Sequence, residues 1–280
     1  MKNTESLTER DRTEKKLTFF MSDAHVGSWD EAAEKVKEEK LRLFFNYLTT
    51  ISPPPALYIL GDLFDFWFEY RHAIPLLYQK LVTRLVNLVE YGISIRYITG
   101  NHDFWIRDFF QKYLDIEVYH GEYETQIDGK SFYLFHGDGI LSEDKGYRIL
   151  KQIIQHPLVV KAYRWIHPDI GIPIARWSSA MSRNQYGKNP EIEKQDDEKY
   201  LSYAGQIFKD QYDFILMGHT HRPVIVTNSV KTYINLGDWI RNFTYAVFDG
   251  SEIKLYRWLA AEVNNPPHLL KKIEPEIRNF

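Results

Sequence analysis

The chain has 280 residues, enough to bury a sizeable core as one large domain or one domain carrying an insertion. With 44% hydrophobic and 26% charged residues, a net charge of −3 and no apolar run near the roughly 18 residues that cross a bilayer, it reads as globular, neither disordered nor membrane-spanning. Cysteine is absent, which excludes disulfides and thiolate metal sites, so any metal must be held by imidazole, carboxylate or amide groups.

Residues 1–16 are polar and charged and lack the apolar stretch of a secretion signal, so a flexible N-terminal segment on a cytoplasmic protein is expected. The first apolar run, 17–21, predicts a short buried strand ending in Ser22-Asp23. Residues 31–50 place Val36, Leu41, Phe44, Phe45 and Leu48 at helical spacing, and the proline run 53–55 stops that helix. A second apolar run at 56–60, a second helix at 74–91 and a third run at 93–99 follow. Strand, helix, strand, helix, strand is the pattern of a layered α/β sheet with parallel neighbours. Residues 123–127 and 131–135 then read as a hairpin turned by Asp128-Gly129. An acidic helix at 190–210 precedes the run 214–217, and short alternating stretches at 224–227, 232–236, 245–248 and 253–256 predict antiparallel strands closing a second sheet. The main domain is expected over 17–260, with the tail 264–280 loosely packed.

Five polar clusters share one context: Asp23-Ala24-His25, Gly61-Asp62, Gly100-Asn101-His102-Asp103, His136-Gly137-Asp138 and Gly218-His219-Thr220-His221 each follow the end of a predicted strand. In open α/β sheets that edge is where loops converge on a ligand. A pair of metal ions about 3.5–4 Å apart needs oxygen and nitrogen donors from several loops and one carboxylate able to bridge them. Asp62 is the candidate bridge, with Asp23, His25 and His221 completing one ion's shell and Asn101, His136 and His219 the other's. A single His-x-His is more often an accident of surface or core, and an Asp after a strand is commonly a helix cap. Five of the ten histidines fall in these clusters, which makes coincidence a poor account of the set.

Two metal ions sharing a water lower its pKa and direct it at phosphorus, so no phosphoenzyme is required. No cysteine nucleophile is available and no Gly-rich Walker sequence is present. Asn101 offers a neutral donor in a site that must accept an anion. His102 is the candidate donor of a proton or hydrogen bond to the leaving oxygen, with Asp103 expected to fix its orientation.

As an ordered set, Asp-x-His, Gly-Asp-x-x-Asp, Gly-Asn-His-Asp, His-Gly-Asp and Gly-His-x-His resemble the calcineurin-like metallophosphoesterases over roughly residues 17–250. The resemblance implies an α/β fold, a four-layer αββα sandwich around a dinuclear centre, and its ligand roles agree with those above. Within that superfamily, residues 61–67, 100–104, 136–138 with Asp144 and Tyr147, and 218–223 are similar to the UDP-2,3-diacylglucosamine diphosphatases of lipid A biosynthesis. That likeness implies cleavage of the substrate diphosphate to UMP and 2,3-diacylglucosamine 1-phosphate, and favours Mn, while mixed imidazole and carboxylate ligation also suits Fe or Zn. The best-known members carry Arg where this chain has His102. The alternative is a hydrolase of the same site chemistry acting on a nucleotide, cyclic nucleotide or phosphoprotein.

Between Lys145 and Lys188 there are eight Lys or Arg and one acid, Asp169. Apolar residues recur there at helical spacing and Pro157 and Pro168 break the helices, which predicts a helical cap over 140–190 inserted between two site-bearing strands. A cap both greasy and cationic suits an acylated sugar nucleotide and the anionic cytoplasmic face of a membrane, with peripheral association at the inner membrane. The family's cap binds acyl chains, by implication of the resemblance. Tyr147 and Arg183 are candidate substrate contacts, together with Asn101. The long aliphatic stretches of the block fit a lipid better than nucleic acid, and neither nucleic acid nor an obligate protein partner is expected.

Overall fold

The computed structural model describes residues 16–27, 30–141, 145–185, 190–210, 212–228, 230–259 and 270–278, without the side chains of 147, 178–185, 190, 210, 270 and 271. Strands β1 (Thr18–Met21), β2 (Ala56–Leu60), β3 (Ser94–Thr99) and β4 (Glu117–His120) alternate with helices α1 (Glu31–Thr49), α2 (Gln79–Glu90) and α3 (Phe109–Leu114). They pair in parallel, Phe19 opposite Leu57 and Leu57 opposite Ile95. Strands β10 (Thr244–Phe248), β11 (Ile253–Trp258) and β12 (Leu270–Ile273) extend this sheet antiparallel beyond β1, making seven strands. The second sheet has six strands: β5 (Tyr123–Ile127), β6 (Lys130–Leu134), β7 (Phe214–Met217), β9 (Thr232–Asn235), β8 (Val224–Thr227) and β13 (Glu276–Ile277), in that spatial order.

Two-residue alternation along the strands builds the layers. Phe19, Met21, Leu57 and Ile59 pack outward on α1, α2 and α3, while Phe20, Tyr58 and Leu60 turn inward to meet Phe132, Leu134, Phe214 and Leu216 of the second sheet. On the far side Tyr133, Ile215, Met217 and Tyr233 are covered by Tyr200, Ala204 and Phe208 of helix α7 (Pro190–Ile207) and the turn after it. Helices, sheet, sheet, helix is the four-layer sandwich expected. Because β1, β2, β3, β6, β7 and β9 all run the same way within their sheets, the loops at their carboxyl ends gather along one edge.

Three helices, α4 (Lys145–Gln155), α5 (Pro157–Tyr163) and α6 (Pro168–Gln185), form the cap between β6 and β7. Val160 and Tyr163 of α5 with Ile172 and Ala175 of α6 pack on Phe66, Phe68 and Trp105 from the loops after β2 and β3. Trp105 Nε1 donates to Ile154 O at 3.2 Å, and Lys151 Nζ lies 2.5 Å from Asp138 Oδ2. The cap thus stands directly on loops of the site edge.

Several expectations change. The second helix starts at Gln79, after a single 3-10 turn at Leu76–Tyr78; Pro75 keeps Ile74 out of helical backbone. The buried stripe of α1 contains Lys37 and leaves Val36 exposed. Residues 109–120 form α3 and β4, too short and too exposed on their outer faces for a periodic signal. The tail is not a loose appendage over its described part: β12 pairs with β11 on one sheet and β13 with β8 on the other. Residues 1–15 and 264–269 lie outside the described residues.

Candidate metal centre

The loops after β1, β2 and β7 bend sharply at the residues that carry chemistry. Asp23, His25, Asp62, His219 and His221 all have positive φ, between 44° and 71°, and make up five of the eight such non-glycine residues among those described. Left-handed backbone costs a non-glycine residue about 1 kcal/mol or more, and such positions cluster where surrounding structure imposes them for function. Adjacent glycines leave room: a Cβ at Gly100 would fall on Asp62 Oδ1, and one at Gly218 on Asp23 Oδ2.

The carboxylates are held from one side and left open on the other. Asp23 Oδ2 accepts from the His219 backbone N at 2.9 Å, while its Oδ1 is buried without a hydrogen bond, 3.4 Å from His221 Nε2 and 3.8 Å from His25 Nε2. Asp62 Oδ1 accepts from the His102 backbone N at 2.9 Å; its Oδ2 lies 3.2 Å from His136 Nε2, 3.6 Å from His25 Nε2 and 3.9 Å from His102 Nε2. His136 Nδ1 donates to Leu60 O at 2.8 Å and its Nε2 lies 3.1 Å from Asn101 Oδ1, so Nε2 is the nitrogen that would offer a lone pair to an ion once the ring gives up its second proton. The His219 ring sits with its centroid 5.2 Å from that of His136, and the His221 ring 5.1 Å from that of His25.

These residues fit divalent ions. Two donors each about 2.1 Å from one ion lie about 3.0 to 3.4 Å apart at right or tetrahedral angles. The nitrogen and oxygen atoms above are spaced near that range, and both ring nitrogens of buried His25 lack hydrogen-bond partners. Three donor groups emerge: Asp23, His25 and His221; Asp23, Asp62 and His136; and His25, Asp62 and His102. Asp62 faces histidines of both proposed shells, as a bridge must.

Charge supports the same reading. Burial opposes ionisation of Asp23, yet His136, His221 and His25 beside it bring its pKa down to about 2. Burial likewise opposes Asp62, and His136 and His102 hold it well below the usual carboxylate range. Burial would lower His25, but Asp23, Asp65 and Asp62 around it raise it to about 9. His136 is held well above its ordinary value, against burial, by Asp62 and Asp23. His219 is pushed to about 4 by burial and by repulsion from His136, and burial lowers His221. Two buried carboxylates stay ionised because two imidazoles keep protons, the charge a divalent ion would replace.

Two expected roles change. Asp103 does not touch the His102 ring: it accepts from Gly100 N at 2.7 Å, from Leu63 N at 3.0 Å and from the Tyr97 hydroxyl, and so ties the loops after β2 and β3 together. His102 Nδ1 donates instead to Asp65 O at 2.8 Å, turning Nε2 toward Asp62. Burial lowers the His102 pKa, against the pull of Asp62 and Asp65, which favours the neutral ring. The side chains of Tyr147 and Arg183 lie outside the described residues.

Sequence reasoning passed over Asp238. This buried carboxylate lies 3.7 Å from His221 Nδ1 and accepts from the backbone N of Ile240, Arg241 and Asn242. The signal was present: Gly237-Asp238 follows strand β9 as Gly61-Asp62 follows β2.

Nitrogen and oxygen donors gathered at one sheet edge of an αββα sandwich define a site of the class that serves metal-assisted hydrolysis of phosphate esters. The calcineurin-like phosphoesterase profile matches residues 18–223, and the chain belongs to that family: it is a hydrolase, and membership implies divalent-metal binding. A UDP-2,3-diacylglucosamine hydrolase of Porphyromonas gingivalis is 30% identical over 252 residues, 85% of this chain and 95% of the relative. One of Yersinia pseudotuberculosis is 29% identical over 171 residues, 61% of this chain and 70% of the relative. Among solved structures, Yfce, a phosphoesterase from E. coli, is 18% identical, with a TM-score of 0.42 over 87% of this chain and 93% of its own.

Proposed function

We propose that the chain hydrolyses the diphosphate of UDP-2,3-diacylglucosamine to UMP and 2,3-diacylglucosamine 1-phosphate, as part of lipid A biosynthesis at the cytoplasmic face of an anionic membrane. The observation that carries this reading is the cap. Ten of the twenty exposed large hydrophobic residues among those described lie on its three helices and their connections, including Ile153, Trp165 and Trp177. They lie within the basic block, and the cap that carries them packs through Val160, Tyr163, Ile172 and Ala175 on the loops that bear Asp62 and His102. Exposed apolar surface of this extent suits acyl chains or a membrane, and the cations suit a diphosphate. The name of the Porphyromonas relative, matched over 95% of its length, points the same way. No helix among the described residues is long and apolar enough to cross a membrane.

In this reading Asp62 would be shared by two ions, manganese by preference, one of which Asp23, His25 and His221 would hold and the other Asn101, His136 and His219. When bound, the pair supplies an activated water and neutralises charge at phosphorus. Leu60 O and Asp238 orient His136 and His221, while Asp65 O orients His102. The oxygen of water joins the phosphorus of the uridylyl group, and the bond from that phosphorus to the bridging oxygen breaks. The leaving sugar phosphate needs charge stabilisation more than full protonation. His102 Nε2 provides it by hydrogen bond once the substrate anion has raised the ring's pKa. Asn101 contributes a donor without further negative charge, and Tyr147 and Arg183, whose side chains lie outside the described residues, are proposed as substrate contacts.

The test is release of UMP from the lipid nucleotide by purified protein with and without manganese, beside soluble phosphodiesters, cyclic nucleotides and a phosphoprotein. Manganese-dependent release from the lipid substrate is expected. Rapid cleavage of a soluble ester with none of the lipid nucleotide would assign the site to another phosphoester.

A further inference from the structure

Helix α1 reaches the centre through a charged pair that belongs to neither the donor set nor the cap. Along its buried face Leu41, Phe44 and Leu48 are apolar, as a helix against a sheet requires, yet the position one turn earlier is Lys37, only 3% exposed. A buried ammonium is expensive unless it is paired and hydrogen-bonded. Lys37 Nζ lies 2.8 Å from Glu34 Oε2 and donates to the backbone oxygen of His25 at 2.6 Å. The other oxygen of the same carboxylate, Glu34 Oε1, accepts from Gly27 N at 2.8 Å. Both ends of the pair therefore grip one short segment, residues 25–27.

Two of the three residues of that segment have left-handed backbone. His25 has φ +44° and Gly27 φ +101°. On the opposite side it is tied to the loop after β2 by His25 N to Asp62 O, Val26 N to Leu63 O and Asp65 N to Val26 O, each 2.9 Å. Those bonds fix the spacing of the two loops but leave the His25 carbonyl to α1. With the His25 N–H tied to Asp62 O and its carbonyl to Lys37, both peptide planes flanking His25 are fixed, and with them the direction of the Cα–Cβ bond from which the ring starts.

We propose that Lys37, held by Glu34, is a positioning residue that aims the His25 ring at the ion shared with Asp23 and His221. The inference rests on the metal-centre reading. An apolar residue would fill the same space on α1 without the desolvation penalty; only the charged pair supplies a donor for His25 O and an acceptor for Gly27 N.

The test uses the full chain stripped of metal and titrated with cobalt(II), followed by visible absorption and bound-metal stoichiometry. Wild type is expected to take up two ions. The variant E34Q/K37M removes both charges together. It is expected to melt cooperatively and to bind one ion at wild-type strength, the other on the order of tenfold or more weakly, with altered absorption. Lys37→Arg, which keeps the charge beside Glu34 and a donor, is expected to retain most of the affinity. Two ions bound by E34Q/K37M with wild-type affinity and unchanged absorption would overturn the inference alone. Failure of both variants to melt cooperatively would also overturn it, since the pair would then serve the fold. Fewer than two ions on wild type would defeat the metal-centre reading and the inference with it.

Discussion

In the loops after β1, β2 and β6, Asp23, His25, Asp62 and His136 are packed almost wholly out of reach of water, while on the cap large apolar side chains such as Trp165, 86% exposed, face it. The loops bury what water would solvate and the cap exposes what water would exclude. Each departs from the usual partition of a globular protein: the first is the pattern of a cation site, and the second is what the acyl-chain and membrane reading proposed above rests on.

The largest expected effect falls on the buried half. Asp62→Ala, or removal of metal by a chelator, is expected to abolish turnover on every phosphoester, and metal analysis of the variant checks that the bridge is lost. Next is the pH dependence of loading. His25 keeps its proton up to about 9 and His136 is raised as well, whereas a metal needs both neutral. Lowering pH below that value therefore weakens metal binding, by about tenfold per unit for each proton displaced, with Asp23 already ionised above about 2. Calorimetry in buffers of different ionisation enthalpy should report protons released on loading.

His102→Ala is expected to lower kcat by about 10²-fold with two ions retained, an effect in the range of a lost proton or hydrogen-bond donor. On the exposed half, serine at Ile153, Trp165 and Trp177 together should raise KM for the acylated substrate by about tenfold or more, since each side chain gains about 1.5–3 kcal/mol on leaving water. Binding to anionic vesicles should fall in parallel, cleavage of a soluble ester should stay unchanged, and the melting temperature should move little because these positions are exposed. The joint between the halves gives the smallest change. Lys151→Gln removes a partly exposed ion pair with Asp138, and about a fivefold loss of kcat/KM confined to the acylated substrate is expected.

The layers of the sandwich were legible because the strands alternate so cleanly: Phe19 and Phe20 face opposite cores, and so do Tyr133 and Leu134. The polar clusters were legible because each follows such a strand beside a glycine. Asp238 carried the same mark after β9, but without a histidine or asparagine beside it. Asp103 could not be placed, since adjacency to His102 in sequence says nothing about a loop in which successive side chains diverge toward Tyr97 and Asp65. Lys37 was invisible for a different reason: helical spacing expects apolar residues on the inner face, and the apolar neighbour Val36 took its place in the reading. Strands β12 and β13 have only four and two residues, with charged and apolar residues mixed, too short for a periodic signal; what recruits them is pairing with the edges offered by β11 and β8.

The left-handed backbone at Asp23, His25, Asp62, His219 and His221 has a consequence for how this protein could change over generations. At each of these places glycine would relax the chain, so selection for heat resistance alone would favour the very replacements that strip the centre of its donors. A library screened only for survival at high temperature should therefore return sturdier but inert molecules, mutated at these positions first.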